Sequence, residues 1–128
     1  MNEDFVKKLV SIQNGLKCKK AKRNNFGNFN YRSCEDIFES VKPLLSEQGL
    51  MMYVSDDIQS INGFNYIKAT VTISDGLNSV SSHGWAKESD AKKGMDSSQI
   101  TGSSSSYARK YAIGGLLMID DSTDPDSM

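Results

Sequence analysis

The chain has 128 residues, two cysteines, one histidine and a formal net charge of −1 at pH 7. This length predicts a single domain with its own core, and no apolar run approaches the roughly 20 residues of a membrane-spanning helix. Cys18 and Cys34 lack a pair of histidine partners, so we expect no zinc site. The first residues do not resemble a signal peptide, so we expect a cytoplasmic location, where the two cysteines stay reduced.

An amphipathic helix is predicted over residues 3–17, where apolar residues recur at steps of four and three. A basic segment follows, with six cations and no carboxylate from Lys17 to Arg32. Such a segment attracts phosphates through counterion release, although a solvated lysine-rich loop explains it equally well. It also carries three aromatic residues: Phe26, Phe29 and Tyr31. We interpret the two phenylalanines as anchors of an ordered loop to the core.

A second helix is predicted to begin at Cys34 and to stop at Gly49. Ser33 and Asp36 have the spacing of a capping box, which satisfies backbone N–H groups at a helix start. Glycine is the residue most common just beyond a helix end.

Three strands of an antiparallel meander are predicted next, because the pairs Asn62-Gly63 and Asp75-Gly76 suit two-residue hairpin turns. Two-residue loops would place Ile61 opposite Phe64, and Ser74 opposite Leu77. In the second hairpin this register sets Tyr66 beside Trp85.

The predicted sheet has one apolar face and one face that carries aromatic and cationic side chains. Sheets that stack unpaired bases combine these two residue types. We therefore take Tyr66 and Trp85 as candidate stacking residues. The alternative is that a helix or a neighbouring subunit covers both rings.

A charged connector leads to a long last helix, predicted from Ser98 to Met118, that ends or bends at Gly114-Gly115. Four residues of this helix offer a low-relief surface for packing against a neighbouring subunit or the sheet: Gln99, Gly102, Ser103 and Ser106. Arg109 lies nearby, and we expect it to act as a positioned cation toward DNA or Asp120.

These elements predict an α+β fold with N-terminal helices, a three-stranded antiparallel β-meander and a long C-terminal helix. We expect the core domain to span residues 1–121 and an acidic tail to span residues 122–128.

Several separated stretches resemble, in order, the sequence pattern of a known family: Phe26-Gly27, Tyr31-Arg32-Ser33, Glu35-Asp36-Ile37, Val41-Lys42-Pro43-Leu44-Leu45 and the run from Lys93 to Asp121. The pattern is similar to that of the ERF (essential recombination function) family of phage single-strand annealing proteins. The family commonly has alanine where this chain has Ser103 and Ser104, a change that adds hydroxyls but little bulk.

The resemblance implies a non-enzymatic function in phage DNA recombination, in the cytoplasm of the bacterial host. It implies binding of single-stranded DNA and annealing of complementary strands by a ring or another homo-oligomer, without nucleotide hydrolysis, cofactor or metal. The implied partners are single-stranded DNA, the annealed duplex intermediate, and a phage exonuclease or a host single-strand binding protein, with no membrane. The core is expected to resemble the β-β-β-α unit of other annealing proteins.

We predict that DNA binding uses cations from the basic segment, the connector and the last helix, together with one ring. The predicted residues are Lys22, Arg23, Tyr31, Arg32, Lys92, Lys93, Arg109 and Lys110.

Two other functions are alternatives to annealing. A Mg²⁺-dependent nuclease would use the acidic cluster Asp120, Asp121, Asp124 and Asp126, but these residues adjoin Pro125 and lack a basic partner. A non-catalytic protein-interaction module would use the small-residue helix alone. The sequence has no phosphate-binding Gly-x-x-x-x-Gly-Lys-Ser/Thr loop, which disfavours an ATP-driven recombinase.

Overall fold

The computed structural model describes residues 2–88 and 97–119, and all of their side chains except those of residues 97–101. Its elements, in chain order, are α1 Glu3–Gly15, β1 Lys22–Asn24, β2 Phe29–Tyr31, α2 Cys34–Gln48, β3 Met51–Ile61, β4 Phe64–Ser74, β5 Ser79–Lys87 and α3 Ser97–Leu117. Strands β1 and β2 form a two-stranded antiparallel sheet, and β3, β4 and β5 form a three-stranded antiparallel sheet in that order. The α+β class, the larger sheet and the C-terminal helix agree with the sequence-based prediction.

The ends of α2 are those that the sequence predicts. The Ser33 hydroxyl accepts a hydrogen bond from the Asp36 N–H, the Asp36 carboxylate accepts one from the Ser33 N–H, and Gly49 closes the helix at φ 68°. Helix α1 ends at Gly15, two residues before the predicted end. Helix α3 continues through Gly114-Gly115 to Leu117, so it does not end at the glycine pair.

The two hairpins of the larger sheet differ in how well their register was predicted. In the first, Ile61 pairs with Phe64 across the Asn62-Gly63 turn, as predicted. In the second, Ser74 pairs with Ser79, so the prediction of a two-residue loop with Ser74 opposite Leu77 was wrong.

The wider second loop is held by the side chain of Asp75. One carboxylate oxygen accepts hydrogen bonds from the N–H groups of Leu77 and Asn78, at 2.9 and 2.6 Å. These bonds satisfy the two backbone N–H groups inside a loop of four residues, which takes the place of the predicted two-residue turn. The register shifts by two residues, so Trp85 pairs with Lys68 rather than with Tyr66, but every side chain stays on its predicted face.

The β1–β2 hairpin was not predicted, because its three-residue strands carry no apolar alternation and the sequence suggested an ordered loop. Lys22 pairs with Tyr31, and Asn24 pairs with Phe29. The hairpin therefore joins α1 to α2 and presents the basic segment on a short ribbon.

All three helices pack on one face of the larger sheet. Alternate residues of the central strand β4 are at most 1% exposed: Ile67, Ala69, Val71 and Ile73. The cluster that buries them also contains fully buried residues of each helix, among them Phe5 of α1, Ile37 of α2 and Ile113 of α3. The core is thus a single layer between the helices and one side of the sheet.

Helix α3 approaches β5 so closely that one strand position has room only for glycine. A Cβ atom at Gly84 would collide with the backbone oxygen of Ala108 and lie 2.5 Å from the backbone nitrogen of Ala112. Both alanines are fully buried. Small residues on the helix and a glycine on the strand together allow this contact.

We expect Gly84→Ala to lower the free energy of unfolding by about 1 to 3 kcal/mol, because the new methyl group meets backbone rather than a movable side chain. Gly102→Ala is the matched control, since Gly102 lies exposed on α3 and a methyl group added there would meet no atom within 4 Å. There alanine should raise stability by up to about 1 kcal/mol. Urea denaturation of both variants checks the prediction, and a neutral Gly84→Ala would contradict the close contact.

The capping box of α2 also predicts a pH dependence. The Lys22 ammonium and then the N–H and hydroxyl of Ser33 lower the pKa of Asp36 to about 2. Because this pKa lies below the ordinary value of 3.8, the carboxylate stabilises the folded state above about pH 4, and the stabilisation is lost as the pH falls toward 2.

The difference in stability between the parent chain and Asp36→Asn should therefore be largest at neutral pH and shrink between about pH 4 and pH 2. Ser33→Ala is the control, because it removes one cap hydroxyl but keeps the ionisable carboxylate and its lysine. Denaturation across this pH range measures both, and a difference for Asp36→Asn that stays constant with pH would refute the assignment.

Candidate nucleic-acid interface

The face of the larger sheet opposite the helices is here called the open sheet face. It consists of the odd-numbered residues of β3 and β5 and the even-numbered residues of β4, which cross-strand pairing places side by side. In the part of the chain that the structure describes, five large side chains on this face are 42–58% exposed: Met51, Tyr53, Ile61, Phe64 and Trp85. No described helix covers them.

Cations lie beside the rings of the open sheet face. The Lys68 Nζ atom is 5.4 Å from the centre of the Trp85 ring, and the Lys87 Nζ atom is 3.7 Å from the centre of the Phe64 ring. Tyr66, half-buried, pairs across the strands with Lys87. The predicted combination of rings and cations is therefore present, with different cross-strand partners.

One carboxylate, that of Asp57, shares the row of Lys68 and Trp85. Other positions on this face carry hydroxyl, amide or imidazole groups, such as Thr70, whose hydroxyl is 2.9 Å from His83 Nδ1. The face can therefore stack flat rings and attract anions at its lysines.

The basic segment forms the body of the β1–β2 hairpin. The Lys22 ammonium donates to both oxygens of Asp36, at 2.8 and 2.9 Å. The Arg23 guanidinium donates to the side-chain oxygens of Asn28 and Asn30, which lie on the opposite side of the hairpin. These two predicted DNA-binding cations are exposed but held in place.

The interpretation of Phe26 as a core anchor was wrong. The ring lies at the turn of the hairpin with a relative exposure of 103%. Phe29 is half-buried and packs edge-on against Tyr31, with 6.2 Å between ring centres. Phe29 thus packs within the hairpin, and its anchoring to the core stays a prediction.

The hairpin meets α3 around the Lys110 side chain. The Lys110 Nζ atom lies 5.8 Å from the Tyr31 ring centre and 5.3 Å from the Tyr107 ring centre, and the residue is 7% exposed. Arg32 is equally buried and donates to the backbone oxygen of Cys18 at 3.3 Å. Two of the predicted DNA-binding cations therefore lie in the interior, and their role in DNA binding stays a prediction.

Arg109 is a positioned cation, but its partner was missed in the sequence. Its Nε and Nη2 atoms lie 3.1 and 3.2 Å from the two carboxylate oxygens of Asp56 in β3, and the Ser105 hydroxyl donates to the same carboxylate. A separation of 53 residues hides this pair from any local pattern. Asp120, the acidic partner that we expected, lies outside the described residues.

The predicted packing surface of α3 is divided by the structure. Gly102 and Ser106 are exposed and Ser103 is half-buried, whereas the neighbouring Ser104 is buried with its hydroxyl 3.4 Å from the Lys87 backbone oxygen. The Gln99 side chain lies outside the described part. Contact of this surface with another subunit stays a prediction.

Several expected features fall outside the described residues, namely Lys92, Lys93, the acidic cluster and the tail. Within residues 2–88 and 97–119, no group of three or more His, Cys, Asp or Glu side chains is placed to hold a metal ion. None of the described helices is long and apolar enough to cross a membrane.

Comparison with known proteins identifies the family. The family model described as the ERF superfamily matches residues 5–128. The chain belongs to the ERF family. It is 50% identical over 127 residues to the Essential recombination function protein of Salmonella phage P22, and the alignment covers 99% of this chain and 61% of that protein. This ERF chain therefore spans about three-fifths of its relative's length, and no solved structure matches it.

Proposed function

We propose that this ERF chain binds single-stranded DNA and promotes annealing of complementary strands during recombination, as a homo-oligomer and without ATP. The observation that carries the proposal is the open sheet face, whose exposed rings stand beside lysines on a sheet that the helices cover from one side only. The name of the phage P22 relative, an essential recombination function protein, supports a role in recombination.

Exposed rings on a sheet suit unpaired bases rather than duplex DNA. A base stacks flat on an aromatic ring only when it has left its own stack, and every base has such a flat face. Tyr53, Phe64 and Trp85 stand on three different strands, so a single strand crossing the sheet can meet more than one ring. Binding of this kind has little sequence preference.

The lysines supply the attraction for the phosphate backbone. The Lys68 and Lys87 ammonium groups lie over the Trp85 and Phe64 rings, so a base that stacks on either ring displaces the ammonium from the ring face and leaves it close to the phosphate of that nucleotide. Binding that replaces counterions on phosphates weakens as salt concentration rises. Asp57 pairs with Lys68 on the same row and reduces this attraction locally.

Stacking on a protein surface is compatible with annealing because it uses the faces of the bases. The hydrogen-bonding edges stay free to meet a second strand. Formation of duplex from complementary strands is itself favourable, at about 1.4 kcal/mol per base-pair step from stacking. The protein needs only to hold strands extended and reduce their repulsion, so no nucleotide hydrolysis is required.

We expect Trp85→Ala to weaken binding of a labelled oligo(dT) by about 1 to 3 kcal/mol, or roughly 5- to 150-fold, because one stacking ring is lost. Trp85→Phe keeps a ring and should lose much less. Tyr111→Ala removes a ring of similar exposure, 53%, from α3, which packs on the other face of the sheet, and serves as the control. Fluorescence anisotropy of the labelled DNA, recorded without ATP, measures the affinity of each variant. Light scattering measures its oligomer mass.

Two results would count against the proposal. Normal DNA binding by Trp85→Ala would place the DNA on another surface. A fall in oligomer mass together with normal binding per chain would instead identify the open sheet face as a contact between copies, which is the protein-interaction alternative.

A further inference from the structure

The β1–β2 hairpin combines a fully exposed aromatic ring at its turn with two oriented cations on its first strand. Phe26 stands at the turn with 103% relative exposure. No carboxylate occurs in the sequence from Lys17 to Arg32. Single exposed apolar residues are common on protein surfaces and do not by themselves indicate a binding site. Here the exposed ring lies at the turn of a hairpin whose charged side chains are cationic, which is a combination suited to a ligand with flat rings and negative charge.

The turn that carries Phe26 is held together by side chains. The Asn24 side-chain oxygen accepts from the Gly27 N–H at 2.9 Å, and Asn28 adopts the left-handed conformation at φ 56°. A Cβ at Gly27 would collide with the Phe29 ring, so the turn backbone presses on that ring. Phe29 therefore packs against the turn, whereas Phe26 is exposed to solvent.

The guanidinium of Arg23 is fixed beside this turn. It donates to the side-chain oxygens of Asn28 and Asn30, which orients the group while it remains exposed at the surface. A guanidinium has five N–H donors, so these two contacts leave others for an anion. Lys22, on the same strand, is oriented by Asp36 and has a side chain that is 48% exposed.

The hairpin and the open sheet face lie on opposite sides of the larger sheet. Tyr31 of the hairpin meets Lys110 of α3, and α3 packs on the covered side of the sheet. The hairpin and the open sheet face are therefore different surfaces of the protein. The two surfaces can hold separate strands, or separate segments of one strand.

We propose that the β1–β2 hairpin is a second nucleic-acid contact, in which Phe26 inserts against unpaired bases while Arg23 and Lys22 hold the neighbouring phosphates. The charge of the hairpin favours a polyanion, and the ring favours the flat face of a base over a bare phosphate surface. Inserted apolar side chains are a known means by which proteins contact base steps. This inference rests on the proposed DNA binding, but it concerns a different surface.

The test is photo-crosslinking of the whole chain to a single-stranded oligonucleotide that contains 5-iododeoxyuridine, followed by mass spectrometric mapping. A crosslink at Phe26 is the expected result. Crosslinks on the open sheet face alone would overturn the hairpin proposal while supporting the proposed function. Crosslinks at Phe26 alone would support the hairpin and contradict the sheet face as the primary site.

Variants give a second, independent measurement. Phe26→Ala should slow annealing of complementary oligonucleotides at least about fivefold, and Phe26→Tyr should retain the parent rate because it keeps the ring. Leu77→Ala is the matched control, since Leu77 is 96% exposed on the β4–β5 loop. Unchanged thermal unfolding is expected for all three, because neither parent side chain is buried.

Two outcomes would overturn the proposal. In the first, Phe26→Ala anneals at the parent rate. In the second, Phe26→Ala loses oligomer mass and annealing together, which would show that the hairpin docks on another copy of the chain.

Discussion

The close packing of α3 against β5 is the contact on which the arrangement of this protein depends. Gly84 has no side chain, and Ala108 and Ala112 have only methyl groups, so the helix backbone lies almost directly on the strand. Small residues on both partners permit this approach, and the lost side-chain volume is compensated by dense contact. Helices α1 and α2 contribute to the same core on this side of the sheet.

The concentration of all three helices on one side has a consequence for the other. A 128-residue chain has enough apolar material for one core, and the described residues place that core between the helices and one sheet face. Within residues 2–88 and 97–119, no helix covers the opposite face, although it carries large rings. Tyr53, Phe64 and Trp85 expose rings on three neighbouring strands of this face, and exposed apolar side chains grouped on one surface suit a binding site. The proposed function uses the sheet face that this core does not occupy.

Local sequence signals predicted those parts of the fold that local chemistry determines. The start and stop of α2 depend on a capping box and a glycine a few residues from the helix, and both were read correctly. The Asn62-Gly63 turn likewise imposes its register. In the second hairpin the same reasoning failed, because the Asp75 carboxylate captures backbone N–H groups and widens the loop. The residue types alone do not show whether an Asp-Gly pair forms a two-residue turn or a wider loop held by the aspartate side chain.

The candidate site was predicted less completely than the fold. Alternation along the strands identified the face that carries Trp85, and the two-residue error in register did not change it. Phe26 was misassigned because composition gives no sign of which of two neighbouring phenylalanines points outward. The Arg109–Asp56 pair joins α3 to β3 across 53 residues, and only the tertiary structure brings its members together. Contacts of long sequence separation are the ones that single-sequence reasoning cannot supply.

The central claim is that single-stranded DNA lies on the open sheet face, and the chain contains its own probe of that face. Trp85 is the single tryptophan of the sequence, so fluorescence excited selectively at tryptophan, beyond the absorption of the tyrosines, reports on this position alone. Titration with oligo(dT) should quench the fluorescence to saturation, at the same midpoint as the anisotropy of labelled DNA, and added salt should reverse both signals. Binding detected by anisotropy with unchanged tryptophan fluorescence would contradict the account.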